Sequence, residues 1–205
     1  GSGANCAVRN GDDLFAYGFY IPDQHQGGKA LGLWAVQAVI DAEVGLIPET
    51  SLKAAILEHL REPSVDALLK RRSENKITTQ EYLSLPPVLE KCALEGDEVS
   101  LSIWHKYGKI LAGYATTRIR LMGMEEAPVD VVLSGSIFKC RVPEFTGTVR
   151  QEILARVPKA KILPSVFEPI VGTVVMGLLR LHGHVSADAE ENLYRSADHY
   201  PIRRI

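Results

Sequence analysis

The chain has few cysteines, little net charge and no long apolar run, and each shortage argues against a class of protein. Its 205 residues include three widely spaced cysteines, Cys6, Cys92 and Cys140, with no Cys-x-x-Cys motif, which fits a reducing compartment. The formal net charge is -2, too small and of the wrong sign for a nucleic-acid-binding surface. The longest apolar run, Ile170–Leu179, is too short to span a bilayer.

We therefore expect a cytoplasmic protein with no signal peptide, no membrane partner and no nucleic-acid partner. Hydrophobic residues make up 46% of the chain and charged residues 23%, which allows a sizeable core in one large domain or two small ones. His182 and His184 could contribute to a metal site, but no third ligand is evident, so we predict none.

Hydrophobic periodicity predicts an α/β fold. Asn10-Gly11 followed by two acidic residues predicts a hairpin, and the β-branched run Val129–Leu133 predicts a buried strand. The longest helix should follow an Asp97 N-cap and run from Glu98 to Met122. Ser64 is predicted to cap a short helix that ends at Arg72. Further elements are expected at about 29–45, 48–60, 78–94 with a break at the paired prolines, 142–157, 161–163, 169–179 and 186–199. This order predicts one mixed sheet, in which the hairpin adjoins a parallel pair, with a helical insertion at about 46–96.

Three glycine-bearing turns stand beside these elements. They are Gly1–Cys6, Gly27-Gly28 at the start of the first helix, and Ser134-Gly135-Ser136 after the predicted strand. Glycine lets backbone N–H groups approach a nucleotide closely, and a helix N-terminus attracts anions. Each turn alone is more often structural, but together they suggest phosphate and adenine loops around one cleft.

The order of these turns resembles the C-terminal lobe of the N-acetylglucosamine kinase family, within the BadF/BadG/BcrA/BcrD-type ATPases of the actin-like sugar-kinase superfamily. Gly1–Cys6 resembles the family's second phosphate loop, Gly-Thr-Gly-Ser-Asn-Cys. Gln26–Gly32 resembles its Gly-Asp-Glu-Gly loop and the start of the following helix. Val131–Phe138 resembles the adenosine motif, and Pro169–Thr173 resembles the closing Pro-x-x-Gly-Ala helix.

The resemblance implies a ribonuclease-H-like, actin-type ATPase lobe spanning residues 1–205, with ATP and Mg²⁺ as cofactors. It implies three sets of contacts: phosphate at Gly1, Ser2, Gly3, Ala4 and Asn5; adenosine at Ser134, Gly135, Ser136 and Glu168; sugar or phosphate at Asp23, Gln26, Gly27 and Gly28. The function implied is an ATP-dependent kinase for N-acetylglucosamine or a related amino sugar, often a homodimer. Because the family's catalytic aspartate lies on the N-terminal lobe, no catalytic residue and no metal ligand are expected in this chain, which would be inactive alone.

Departures from the family pattern keep alternatives open. The Gly-Asp-Glu triplet is absent at Asp23-Gln24-His25-Gln26, where Asp23 lies a few residues early, so the sugar is undecided. A non-catalytic or regulatory ATP-binding protein on the same fold is the main alternative, and a helical interaction domain is a third. The start at Gly1 is either an expression remnant or a native loop, and the match that continues to Cys6 favours the native loop.

Individual side chains near the predicted loops also have ordinary structural interpretations. Trp34 and Trp104 lie at helical apolar spacing and are expected in the core. Cys6 is expected to be a small buried residue, and His25 a solvated loop side chain. Glu168 could line the nucleotide cleft or cap the helix that begins at Pro169.

Overall fold

The fold is described here from a computed structural model, which covers residues 3–197. It is mixed α/β, as predicted, and it divides into two compact units. The first unit comprises Gly1–Val129 and Cys140–Ala160, and the second comprises Asp130–Lys139 and Lys161–Ile205. Among the helices of the described residues, none combines the length and the apolar character needed to cross a membrane.

Helices form where periodicity and capping residues predict them. In chain order the elements are β1 (Ala7–Asn10), β2 (Asp13–Ala16), α1 (Gly27–Glu43), α2 (Leu52–Leu60), α3 (Val65–Ser73), α4 (Thr79–Ser84), α5 (Pro86–Leu94), α6 (Glu98–Leu121), β3 (Val129–Leu133), α7 (Pro143–Arg156), β4 (Ala160–Pro164), α8 (Pro169–His182) and α9 (Ala187–Ala197). The expected end of the last helix at His199 lies outside the described residues.

The core of the first unit is built around α1 and α6. Helix α1 packs against α2, α3, α4, α5 and α6, and α6 packs against α7. Trp104, Tyr107 and Phe145 are almost fully buried where α6 meets α7. Their ring centroids lie 5.2 Å apart for Trp104 and Phe145, and 6.3 Å apart for Tyr107 and Phe145. The prediction that Trp104 is a core residue is confirmed.

Close backbone contact between α1 and α4 depends on Gly32. A Cβ atom added to Gly32 would lie 2.1 Å from the carbonyl oxygen of Tyr82 in α4. No residue with a side chain fits that gap without a shift of the backbone. The helical block between α1 and α6 is therefore held to α1 at a distance that glycine alone allows.

The carboxylate of Asp97 joins the starts of α2 and α6. It caps α6 by accepting a hydrogen bond from the backbone N–H of Ser100 at 2.7 Å, as predicted. It also accepts from the hydroxyl of Thr50 at 2.8 Å and from the backbone N–H of Ser51 at 2.8 Å. Burial alone would raise the pKa of Asp97, but these donors outweigh burial and lower it.

The predicted hairpin is confirmed, and it lies against α6. Strands β1 and β2 pair antiparallel, with Asn10 opposite Asp13. The amide of Asn10 donates to the carbonyl of Met122 at 3.2 Å, and the guanidinium of Arg118 lies 3.5 Å from the centre of the Phe15 ring. Helix α6 thus provides the packing partner for this hairpin.

The prediction of one mixed sheet is wrong for the described residues. Strand β1 pairs with β2 and β3 pairs with β4, in two separate two-stranded sheets. The strands have four or five residues each, and the aromatic side chains of the hairpin are engaged by α6 rather than by a second sheet layer. Short strands identified from sequence do not reveal their non-local partners.

The prediction that Val129–Leu133 is a buried strand is also wrong. Strand β3 alternates between half-buried and exposed residues, and Val132 is 56% exposed. A strand is buried on both faces only where it is covered on both faces. In the second unit β3 has one neighbouring strand, β4, and the backbone N–H of Ser165 continues the pairing to the carbonyl of Leu133 at 2.9 Å.

Candidate functional site

Two of the predicted ligand loops adjoin in the first unit. The backbone N–H of Ala4 donates to Oε1 of Gln26 at 3.1 Å, and Nε2 of Gln26 donates to the carbonyl of Ile21 at 2.8 Å. The loop predicted to bind phosphate therefore lies beside the loop predicted to bind sugar or phosphate, although the two are separated by about 20 residues of sequence. Gly1 and Ser2, which belong to the same prediction, lie outside the described residues.

Asn5 fixes the other side of the predicted phosphate loop. Its Oδ1 accepts hydrogen bonds from the backbone N–H groups of Cys6 and Gly18, both at 2.9 Å. Gly18 begins a short 3₁₀ turn, Gly18–Tyr20, that follows the hairpin. The carboxamide oxygen of Asn5 is therefore fully engaged within the protein, and its Nδ2 group is the part of the side chain that remains to donate to a ligand.

The N-terminus of α1 has the electrostatic character of an anion site. It begins at Gly27 with no side-chain cap and no acidic residue in its first turn. Lys29 lies in that turn, with Nζ 3.8 Å from the carboxylate of the exposed Asp23. Unpaired N–H groups at a helix start, together with the helix dipole, favour a negative ligand. A Cβ on Gly28 would face the side chains of Leu83 and Pro86, at 3.4 and 3.5 Å.

His25, in the loop before α1, contacts the aromatic side chains of Tyr114, Tyr107 and Trp34. Nδ1 of His25 and the hydroxyl of Tyr114 share a hydrogen bond at 2.7 Å, and Tyr107 donates to the carbonyl of His25 at 3.3 Å. Burial raises the pKa of Tyr107 to about 12, so its hydroxyl is protonated at neutral pH. The Trp34 ring lies 6.4 Å from the His25 ring and 5.9 Å from the Tyr107 ring.

Two sequence predictions about this group need correction. His25 is not a solvated loop side chain, because it is half-buried and bonded to Tyr114. Trp34 is half-buried rather than in the core, and Nζ of Lys106 lies 4.4 Å from the centre of its ring. Hydrophobic periodicity predicts that Trp34 lies on the apolar face of α1, but it does not show that this part of the face borders the loop before α1 instead of the core. Tyr107 and Tyr114 were missed, although their seven-residue spacing puts them on one face of α6.

The thiol of Cys6 is not a nucleophile in this setting. Cys6 is half-buried behind the loop, and burial raises its pKa to about 11. The thiol is therefore protonated at neutral pH, whereas a reactive cysteine needs its thiolate. The prediction of a small buried residue is met only in part, because Cys6 is half-buried.

The predicted adenosine residues lie in the second unit. Strand β3 ends at Leu133, and Gly135 follows with a φ of 103°, a conformation that glycine adopts without strain. The backbone N–H of Phe138 then closes a 3₁₀ turn, Ser136–Lys139, by donating to the carbonyl of Gly135 at 3.1 Å. No atom lies within 4 Å of the position that a Gly135 Cβ would take, so the turn faces open space.

Glu168 is brought to this turn by an ion pair with Lys139. Of its two predicted roles, capping of α8 by the side chain is wrong, since the carboxylate makes no hydrogen bond to the helix start. The reason is competition: the lysine at the end of the 3₁₀ turn attracts the carboxylate more strongly than a neutral N–H group does. The ion pair with Lys139 thus places Glu168 beside the 3₁₀ turn Ser136–Lys139, which directly follows Ser134 and Gly135 in the second unit.

No metal centre emerges from the described residues, where no three His, Cys, Asp or Glu side chains form a group that could hold an ion. Comparison of the sequence with protein-family models and with curated proteins found no match.

Proposed function

We propose that this chain is the nucleotide-binding lobe of an ATP-dependent sugar kinase with an actin-type ATPase fold, acting on N-acetylglucosamine or a related amino sugar. The observation that supports it best is the contact between Ala4 and Gln26. Two segments that the resemblance assigns as ligand loops, 22 residues apart at this contact, lie side by side next to a helix N-terminus with no side-chain cap. The proposal includes a cytoplasmic location, which rests on the cysteine content and the short apolar runs of the sequence, and a homodimer, which rests on the resemblance alone.

The first unit supplies suitable donors for a triphosphate. The backbone N–H groups of Gly28 and Lys29, the Lys29 ammonium and Nδ2 of Asn5 would bind phosphate oxygens. Mg²⁺, which the resemblance implies, would enter with the nucleotide as MgATP. In the second unit, no atom lies within 4 Å of the position that a Gly135 Cβ would take, and the resemblance assigns the turn Ser134-Gly135-Ser136 to adenosine.

These groups would bind and orient rather than transfer protons. Phosphoryl transfer depends chiefly on positioning and on donors that stabilise charge on the γ-phosphoryl group. We assign no general base to this chain, because the resemblance puts the catalytic aspartate on an N-terminal lobe. Closure of two lobes would exclude water and prevent unproductive ATP hydrolysis.

The second candidate is a non-catalytic or regulatory ATP-binding protein, and the composition of the sugar loop favours it. Both ends of the Gln26 carboxamide bond to the backbone, and the Asp23 carboxylate lies near Lys29. The Gln26 carboxamide is therefore not available to a sugar hydroxyl in this arrangement, whereas the exposed Asp23 carboxylate is. Gln24 and His25 are the other polar side chains of this stretch; Gln24 is exposed, and Nδ1 of His25 is hydrogen-bonded to the hydroxyl of Tyr114.

A coupled ADP-release assay of the intact protein across a panel of amino sugars distinguishes the two candidates. Turnover with one sugar supports the kinase. ATP binding without turnover on any sugar favours the non-catalytic protein, and absence of ATP binding at millimolar concentration rejects both.

A matched pair of lysine variants locates the phosphate. Lys29 and Lys53 each lie in the first turn of a helix and pair with a carboxylate, Asp23 and Glu43 respectively. We expect Lys29→Met to raise the Kd for ATP on the order of fivefold through loss of one charge-assisted contact, with Lys53→Met unchanged. Equal effects of the two variants would mean that the phosphate does not bind at the α1 N-terminus.

A further inference from the structure

The side chain of Gln26 connects three backbone segments at the candidate site. Its Oε1 accepts from the N–H of Ala4 at 3.1 Å, and its Nε2 donates to the carbonyl of Ile21 at 2.8 Å. Its own backbone carbonyl accepts from the N–H of Ala30 at 3.3 Å, in the first turn of α1. One half-buried residue thus joins the Gly3–Asn5 loop, the loop before α1 and α1 itself.

The close approach of Gln26 constrains which residues can occupy the Gly3–Asn5 loop. A Cβ atom added to Gly3 would lie 3.1 Å from Oε1 of Gln26, closer than ordinary van der Waals contact. On the opposite side, Oδ1 of Asn5 accepts from Gly18. The loop is therefore held by two carboxamide groups, one from outside the loop and one from within it.

The bond to Gln26 also decides which donors a ligand can use. Because the Ala4 N–H already points to Oε1, it cannot be donated to a phosphate oxygen at the same time. A phosphate in this place would instead meet the first turn of α1, which Gln26 adjoins. A glutamine suits this role because it offers an acceptor and a donor without adding a negative charge next to an anion.

We propose that Gln26 is a positioning residue, which holds the Gly3–Asn5 loop against the N-terminus of α1 in the conformation that receives the phosphates of ATP. The identity of the ligand rests on the proposed function. Gln26 acts through the backbone of its neighbours and does not touch the reacting atoms. Loss of its two hydrogen bonds should release the loop while leaving the body of α1 folded, since α1 is held by its buried apolar face.

Amide hydrogen exchange of the full chain, followed by NMR, tests directly whether the Gln26 side chain holds the Gly3–Asn5 loop in place. In Gln26→Met, which keeps the length of the side chain, we expect exchange at the Ala4 amide to accelerate about tenfold or more, as for loss of one hydrogen bond. Exchange at Val39, buried in α1, should stay slow and reports that the variant is folded. Gln24→Met is the matched control, because Gln24 is exposed, and it should leave both amides unchanged.

Gln26→Glu provides the conservative comparison. Its carboxylate keeps the acceptor for Ala4, so protection of the Ala4 amide should largely return at neutral pH. The donor to Ile21 is lost, and a negative charge is placed beside the phosphates. We expect Gln26→Glu to weaken MgATP binding at least as much as Gln26→Met does, about tenfold, in spite of the restored protection.

The outcomes separate this inference from the proposed function. Unchanged exchange of Ala4 in Gln26→Met would overturn the positioning role, whatever the nucleotide does. Faster exchange with an unchanged Kd for MgATP would also overturn it, while the nucleotide-binding proposal survives. If the wild-type chain shows no response to MgATP although Ala4 exchange accelerates in Gln26→Met, the proposed function fails and the ligand role of Gln26 fails with it.

Discussion

Replacing Gly32 by alanine tests the packing that places the N-terminus of α1. The added Cβ would lie 2.1 Å from the carbonyl oxygen of Tyr82, 2.8 Å from its carbonyl carbon and 3.0 Å from its Cα. Ordinary contact begins at 3.4 Å, so α1 and α4 would have to separate by about 1.3 Å at this point. These atoms belong to the backbone, and no rotamer change can move them aside.

The expected magnitude comes from two opposing terms. Overpacking a close contact costs about 1–3 kcal/mol, and a backbone clash of this depth belongs at the upper end of that range. Alanine gains about 1 kcal/mol over glycine in helix propensity. We therefore expect Gly32→Ala to lower the free energy of unfolding by about 2 kcal/mol.

Urea unfolding followed by circular dichroism measures this change, with Gly147→Ala as the matched control. Gly147 is in the interior of α7, and no atom lies within 4 Å of its would-be Cβ. The control should gain about 0.5–1 kcal/mol from propensity alone. If Gly32→Ala were as stable as Gly147→Ala, the close approach of α1 to α4 would be refuted, and with it the placement of the α1 N-terminus.

Two further predictions concern carboxylates that organise the helical block. The hydrogen bonds from the Arg71 side chain and from the Thr78 backbone hold the pKa of Glu81 at about 2, below its ordinary value of 4.5. The contribution of the Glu81 carboxylate to stability should therefore be complete above about pH 5 and disappear as the pH falls towards 2, where the unfolding free energies of wild type and Glu81→Gln should converge. A difference that stays constant with pH would contradict this assignment. Asp97→Asn should lower the free energy of unfolding by about 1–2 kcal/mol at pH 7, because Asp97 caps α6 and accepts from the start of α2; an unchanged urea midpoint would count against this junction.

The helix starts and the hairpin turn of this chain could largely be predicted from its sequence. Asp97 and Ser64 cap the helices they were predicted to cap, because an N-cap bond joins residues three positions apart. The hairpin turn after Asn10 is likewise a local event. Arrangement of the strands was not predictable in the same way, since four- and five-residue strands carry little information about distant partners.

The candidate site was predictable in part. The sequence located the loops but not the bond between Ala4 and Gln26, because nothing in a local pattern shows where a glutamine carboxamide 22 residues away will point. The pairing of His25 with Tyr114 was equally hidden, since it joins a loop to the middle of a helix. Gly32 is the position where a signal was available: a glycine in a helix interior is unfavourable and indicates close packing or function.

Nucleotide binding by this chain is tested most directly by titrating the isotopically labelled chain with MgATP and following its amide chemical shifts, which detect binding even at millimolar Kd. Binding of the triphosphate at the α1 N-terminus predicts saturable shifts at Gly3, Asn5, Gly28 and Lys29, with exposed amides of α3 unchanged. Absence of saturable shifts at these amides up to 10 mM MgATP, or shifts confined to other surfaces, would contradict it.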